Sequence, residues 1–169
     1  SGAPLPPTVV DADGLNFLAR SREPGWWERF SVEAILTPHP GEVARLANVS
    51  SSAERNDRIA IARQTAEKWN KVVVLKGAYT VVADPSGAAM LSPFANPGLA
   101  SAGTGDVLAG IIAGLLSPGL TPEDAAALGV YLHGAAGERV REELGDTGMI
   151  AGDLLPALPR AIKDLRKRA

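Results

Sequence analysis

A chain of 169 residues, 46% of them hydrophobic, can bury one sizeable core, and a single domain over 1–169 is expected. Its net charge of −2, with basic residues dispersed except near the end at 163–168, leaves no footprint for nucleic acid. There is no cysteine for a disulfide framework or a thiolate metal site, the longest apolar run (107–116) is about half a membrane span, and no secretory or transit peptide is visible, so the expected setting is cytoplasmic.

After a proline-rich lead, Thr8-Val9-Val10 reads as a short β-branched strand, followed by Asp11-Ala12-Asp13-Gly14 and a helical stretch over 15–20. Open α/β sheets bind ligands outside the carboxyl ends of their strands, so Asp11 and Asp13 stand where a ligand or Mg²⁺ would be met. Both are also ordinary turn and capping residues. Residues 23–30, with Trp26 and Trp27, read as a surface connection anchored by aromatic packing. Ala34-Ile35-Leu36 is a second short strand, and Thr37-Pro38-His39-Pro40-Gly41-Glu42 follows it. The prolines restrict the backbone on both sides of His39, which is therefore held on a stiff loop. On spacing alone it suits a structural role as well as a substrate contact. An amphipathic turn or two then runs to Leu46.

Residues 48–57 are Ser-rich and charged, as a loop would be. Ile59, Ala62, Ala66 and Trp69 recur at the helical period, and 71–75 is a nearly unbroken apolar run suited to a central parallel strand. That strand ends in Lys76-Gly77-Ala78-Tyr79-Thr80. The arms 79–83 and 88–91, joined by Asp84-Pro85-Ser86-Gly87, make a hairpin.

The densest chemistry lies at 96–116, NPGLASAGTGDVLAGIIAGLL. Gly98, Gly103 and Gly105 free the backbone for φ > 0 and for close approach of a ligand, and a buried helix is expected from Val107 onward. Unpaired amides at a helix start, backed by the helix dipole, seat phosphate oxygens. Asp106 stands at the mouth of that seat, where a carboxylate can abstract a proton, orient a hydroxyl or hold a metal; a plain helix cap is the alternative. Farther on, Thr121 caps and Pro122 opens a helix reaching Leu144 whose many alanines and glycines call for close packing. His133 within it reads more simply as packed than as a ligand. A break at 145–148 precedes a last helix carrying Leu154, Leu155, Leu158 and Ile162. Alternating strands and helices with one hairpin predict a three-layer α/β/α sandwich, parallel in its main part.

Four separated strings, VVDADGLN, TPHPGE, KGAYT and NPGLASAGTGDVLAG, resemble in order the signatures of the ADP/ATP-dependent NAD(P)H-hydrate dehydratases, a branch of the ribokinase-like proteins. The resemblance implies a ribokinase-like fold, here without its N-terminal part, since members of that family carry a further stretch before this point. It implies phosphoryl transfer to the ring hydroxyl of hydrated NADH or NADPH, with ADP or ATP as co-substrate and Mg²⁺ on the phosphates. Asp106 would be the catalytic base; His39, Asn96 and Asp106 would meet the substrate. Lys76, Gly77, Ala78, Tyr79 and Thr80 would face the nucleotide, with Gly103, Thr104 and Gly105 lining the anion hole. A homo-oligomer, and a companion N-terminal segment or epimerase domain, are the partners it suggests. With one wall of its crevice built by residues before Ser1, the chain alone is expected to self-associate and to bind nucleotide with little turnover. The rivals are a ribokinase-like kinase for a vitamin precursor and an inactive nucleotide-binding fragment.

Overall fold

A computed structural model describes residues 5–20, 25–47, 57–145 and 147–167. Five strands make one mixed sheet in the order β1 (Thr8–Val10), β2 (Ala34–Leu36), β3 (Val72–Leu75), β4 (Val81–Ala83), β5 (Ala89–Leu91). β1, β2 and β3 are parallel, with Val9 beside Ile35 and Ile35 beside Val72; β4 and β5 form the antiparallel hairpin. The hairpin's first strand starts two residues later than expected, because Tyr79 takes φ 53° and belongs to the loop.

Side-chain alternation along these strands sends two apolar sets to opposite faces. Leu36, Val73, Leu75 and Val81 pack against α1 (Asp13–Arg20), α2 (Trp26–Arg29), α3 (Pro40–Ala47) and α4 (Arg58–Trp69). Trp69 and Trp26, at 5.4 Å between ring centroids, fill that layer, so the connection before β2 is tied to the core through a short helix. Ile35, Val72, Val74 and Val82 pack instead on α5 (Thr104–Leu116) and α6 (Pro122–Leu144). The three-layer arrangement is therefore as the sequence predicts.

α7 (Ala151–Arg166) lies outside α6, and the Arg139–Asp164 and Arg160–Glu143 ion pairs join the two helices. Thr121 caps α6 as expected, its hydroxyl accepting from the Asp124 amide at 3.2 Å. Asp57 does the same for α4 through the Ala60 amide; the rest of the expected Ser-rich loop, 48–56, lies outside the described residues, as do Glu23 and Pro24. α5 departs from expectation in two ways. It starts at Thr104, three residues early, and it is not buried all round: Gly110, Ala113 and Gly114 face outward while Leu108 and Ile112 point to the sheet. A mean apolar composition conceals this, because glycine and alanine need no burial to be tolerated on an outer face. No helix among the described residues is long and apolar enough to cross a membrane.

Candidate functional site

The carboxyl ends of β1, β2 and β3 converge on one rim of the sheet, and each delivers a polar residue there. Asp11 follows β1 and Lys76 follows β3; the Lys76 ammonium and Asp11 Oδ1 pair at 2.6 Å. His39 follows β2, and the Pro38 carbonyl accepts the Lys76 amide at 2.8 Å, so the two loops are stitched together. The His39 ring is half exposed. Its Nδ1 accepts from the Gly41 amide, and its own amide donates at 2.8 Å to the buried Glu42 carboxylate, which fixes the loop at the start of α3.

α5 points its N-terminus at this rim. Gly103, the residue before its first turn, has φ 84°, a left-handed conformation that a Cβ would strain. Gly98 and Gly105 do not share it. Gly98 sits in a 3₁₀ turn (Pro97–Ala100) and Gly105 is already helical, so the expectation of φ > 0 holds at Gly103 alone. What matters at Gly105 is proximity: a Cβ there would stand 3.6 Å from Lys76 Nζ and 3.7 Å from Asp11 Oδ2.

The Thr104 amide is bound to the Ser101 carbonyl and the Val107 amide to that of Gly103, while the amides of Gly105 and Asp106 have no backbone acceptor among the described residues. Those are the orphan donors of a helix start. The Thr104 hydroxyl is committed internally, donating to the Leu99 and Ser101 carbonyls at 2.6 and 2.8 Å, so it shapes the loop rather than facing outward. Asp106 is exposed in the first turn of α5, one residue beyond Gly105, and is not the cap.

Beside the helix start opens a cavity of about 350 Å³. Lys76, Gly77, Ala78, Thr80, Asn96, Thr104 and Gly105 all line it, so seven of the sequence-predicted site residues share one wall system. Gly103, Asp106, His39 and Tyr79 are not among its lining residues. Tyr79 serves through its backbone: its amide donates to the Phe94 carbonyl at 2.8 Å while its side chain is half exposed. Asn96, 8% exposed, accepts from the Gly98 amide through Oδ1 at 2.8 Å and thereby caps the 3₁₀ turn; its buried Nδ2 has no partner.

Four contributors were not among the sequence-predicted site residues. Phe94 and Leu99 close the apolar side of the cavity by seating over Gly134 and Gly137 of α6, where a Cβ would lie 2.2 and 2.8 Å from them. His133 is packed as expected but also lines the cavity, with Nε2 2.9 Å from the Thr104 carbonyl; burial pushes its pKa down to about 4, so the ring is neutral and Nε2–H is the donor. Arg58 lies under the 76–80 loop and binds its carbonyls. The small-residue stripe of α6 was a usable signal for the first two; nothing in the spacing of Arg58 marked it.

The described residues contain no group of three or more His, Asp or Glu able to hold a metal ion, and Asp11 is already paired.

Parallel strand ends facing a helix that starts at a left-handed glycine, with a hairpin on the far side, make up a fold that matches solved ribokinase-like proteins. A solved ribokinase-like superfamily protein from Enterococcus faecalis superposes with a TM-score of 0.73 at 28% identity, over 92% of this chain and 52% of that one. The ADP/ATP-dependent NAD(P)H-hydrate dehydratase from Bacillus subtilis, co-crystallized with ATP and Mg²⁺, superposes with a TM-score of 0.81 at 37% identity, over 94% of this chain and 55% of that one. A family model, Carb_kinase, described as NAD(P)H-hydrate dehydratase, matches residues 3–160. The chain belongs to the NAD(P)H-hydrate dehydratase family. It is 48% identical over 161 residues to the bifunctional NAD(P)H-hydrate repair enzyme Nnr of Moorella thermoacetica, covering 95% of this chain and 30% of that protein. It is 42% identical over 152 residues to the ADP-dependent (S)-NAD(P)H-hydrate dehydratase of Neisseria meningitidis serogroup B, covering 89% and 51%. The chain thus spans from less than a third to about half the length of these relatives.

Proposed function

We propose that this chain carries the nucleotide site and the catalytic base of an ADP- or ATP-dependent NAD(P)H-hydrate dehydratase. The adenine nucleotide lies in the cavity along Lys76, Gly77, Ala78, Tyr79 and Thr80, the loop supplying mostly backbone. Its terminal phosphate meets the free amides of Gly105 and Asp106 behind Gly103 and Thr104, where the helix dipole and the Lys76 ammonium both favour negative charge. Asp106 takes the proton of the substrate's ring hydroxyl as that oxygen attacks the terminal phosphorus and the nucleotide leaves with one phosphate fewer. The phosphorylated ring then eliminates phosphate: the C–O bond breaks, the neighbouring ring carbon gives up a proton, and the C–H electron pair becomes the ring double bond of the dihydronicotinamide. His39 and Asn96 are the substrate contacts of this reading, with Asn96 also forming the wall between substrate and nucleotide. Mg²⁺ would accompany the nucleotide phosphates and offset their charge.

One observation supports this reading above the others: an exposed carboxylate, Asp106, sits in the first turn of the helix whose unbonded amides and neighbouring ammonium form an anion seat. The test is an assay of NADPH hydrate with ADP or ATP, following the dihydronicotinamide chromophore and release of phosphate. Return of the chromophore with one phosphate released per turnover is expected. A stable phosphorylated alcohol in place of it would reassign the site to a kinase, and nucleotide binding with no product would reassign it to a binding role.

A further inference from the structure

We infer that Arg58 is a positioning residue for the nucleotide loop, an inference that rests on the nucleotide reading above. The residue opens α4, on the opposite side of the loop from the cavity, and its guanidinium reaches under the strand end. Nη2 donates to the Leu75 and Lys76 carbonyls at 3.0 and 3.1 Å, and Nη1 donates to the Ala78 carbonyl. One side chain therefore ties both ends of the tight turn 75–78. Gly77, at φ 144°, lies directly over it: a Cβ there would stand 2.9 Å from Nη2.

The arrangement is unusual in its charge. No carboxylate among the described residues pairs with Arg58, Nε is buried without a partner, and burial lowers the pKa of the guanidinium. A cation held only by backbone carbonyls forms stronger hydrogen bonds than a neutral donor would, and the planar fork can serve carbonyls that diverge from one another. With three carbonyls turned onto Arg58, and the Lys76 and Tyr79 amides held by the Pro38 and Phe94 carbonyls, the Gly77 amide is the one N–H of these peptide groups without an acceptor among the described residues, and the Lys76 side chain lies at the cavity beside Gly105. Arg58 thus sets the loop backbone that meets the nucleotide without touching the nucleotide itself.

The experiment compares the wild-type chain with Arg58→Met and Arg58→Lys, using calorimetry with ADP and AMP, thermal melting, and amide hydrogen exchange over 76–80. Losing three charge-assisted bonds should weaken both nucleotides about tenfold or more in Arg58→Met and speed exchange in the loop, with α6 and α7 unchanged. Arg58→Lys keeps the charge and can reach one carbonyl, so it should recover part of the affinity and should remain folded if the Met variant does not. Wild-type affinity in a folded Arg58→Met chain would overturn the assignment of Arg58 alone. Failure of the wild type to bind either nucleotide would overturn the nucleotide reading, and this inference with it.

Discussion

Asp11 and Lys76, 65 positions apart in the chain, meet at 2.6 Å in front of Gly105. The pair holds an ammonium against the positive end of α5, an arrangement that would be repulsive without the carboxylate and that becomes favourable to a phosphate arriving between them.

Removing the ammonium tests that consequence. Lys76→Met should weaken ADP binding by about tenfold, and the difference from wild type should shrink at high salt, because a partly exposed ion pair to phosphate is screened. Calorimetry at low and high ionic strength reads both effects. Equal affinities at low salt would remove the side chain from the phosphate site and leave only the loop backbone there.

Asp106→Asn preserves size and an acceptor oxygen, and the carboxylate of Asp106 has no partner to lose among the described residues. The melting temperature should barely move. Turnover of NADPH hydrate should fall by ~10² or more, the usual contribution of a positioned general base. Undiminished turnover would show that Asp106 is only a favourable charge at a helix start.

Much of this site was legible in the sequence because its residues are punctuated by local signals. Prolines bracket His39, a buried strand ends at Lys76, and glycines precede Asp106, so each could be placed at a strand or helix end before any fold was known. The α5 start was misplaced because glycine and threonine have poor helix propensity; here the free amides and the Thr104 hydroxyl bonds to Leu99 and Ser101 decide the boundary instead. Which of three glycines takes φ > 0 was equally hidden, since permissiveness is a property of the residue and use is a property of its neighbours. Arg58 was invisible for a different reason. Its role depends on the carbonyls of Leu75, Lys76 and Ala78, brought to it by tertiary packing, and no periodicity encodes that.

The seating of Phe94 on α6 makes a graded prediction about glycine. At Gly134 a Cβ would lie 2.2 Å from Phe94 Cδ2, so Gly134→Ala should destabilise by ~1–3 kcal/mol through overpacking and should also weaken ADP binding, because Phe94 and Asn96 share the displaced wall. At Gly110 a Cβ meets nothing within 4 Å, and Gly110→Ala should stabilise the helix by ~0.5–1 kcal/mol with no effect on binding. Urea midpoints and calorimetry on the two variants separate the cases. Similar behaviour at both positions would mean that the wall yields and does not depend on α6.

His133 gives the chain a pH dependence whose sign is fixed by its burial. The native ring holds a pKa of about 4 against 6.5 when unfolded, so between those values the unfolded chain binds more protons than the native one. Stability attributable to His133 is therefore complete above about pH 6.5 and is lost as pH falls through 4, with an upper limit of roughly 3 kcal/mol set by the size of the shift. His133→Gln cannot protonate, yet its amide can still donate to the Thr104 carbonyl. Urea midpoints of the two proteins should run parallel above pH 7 and converge as pH is lowered from 6.5 to 4, since the carboxylates common to both cancel in the difference. A difference that stays constant down to pH 4 would show that the ring protonates in place, at the carbonyl-bound end of the cavity, without cost to the fold.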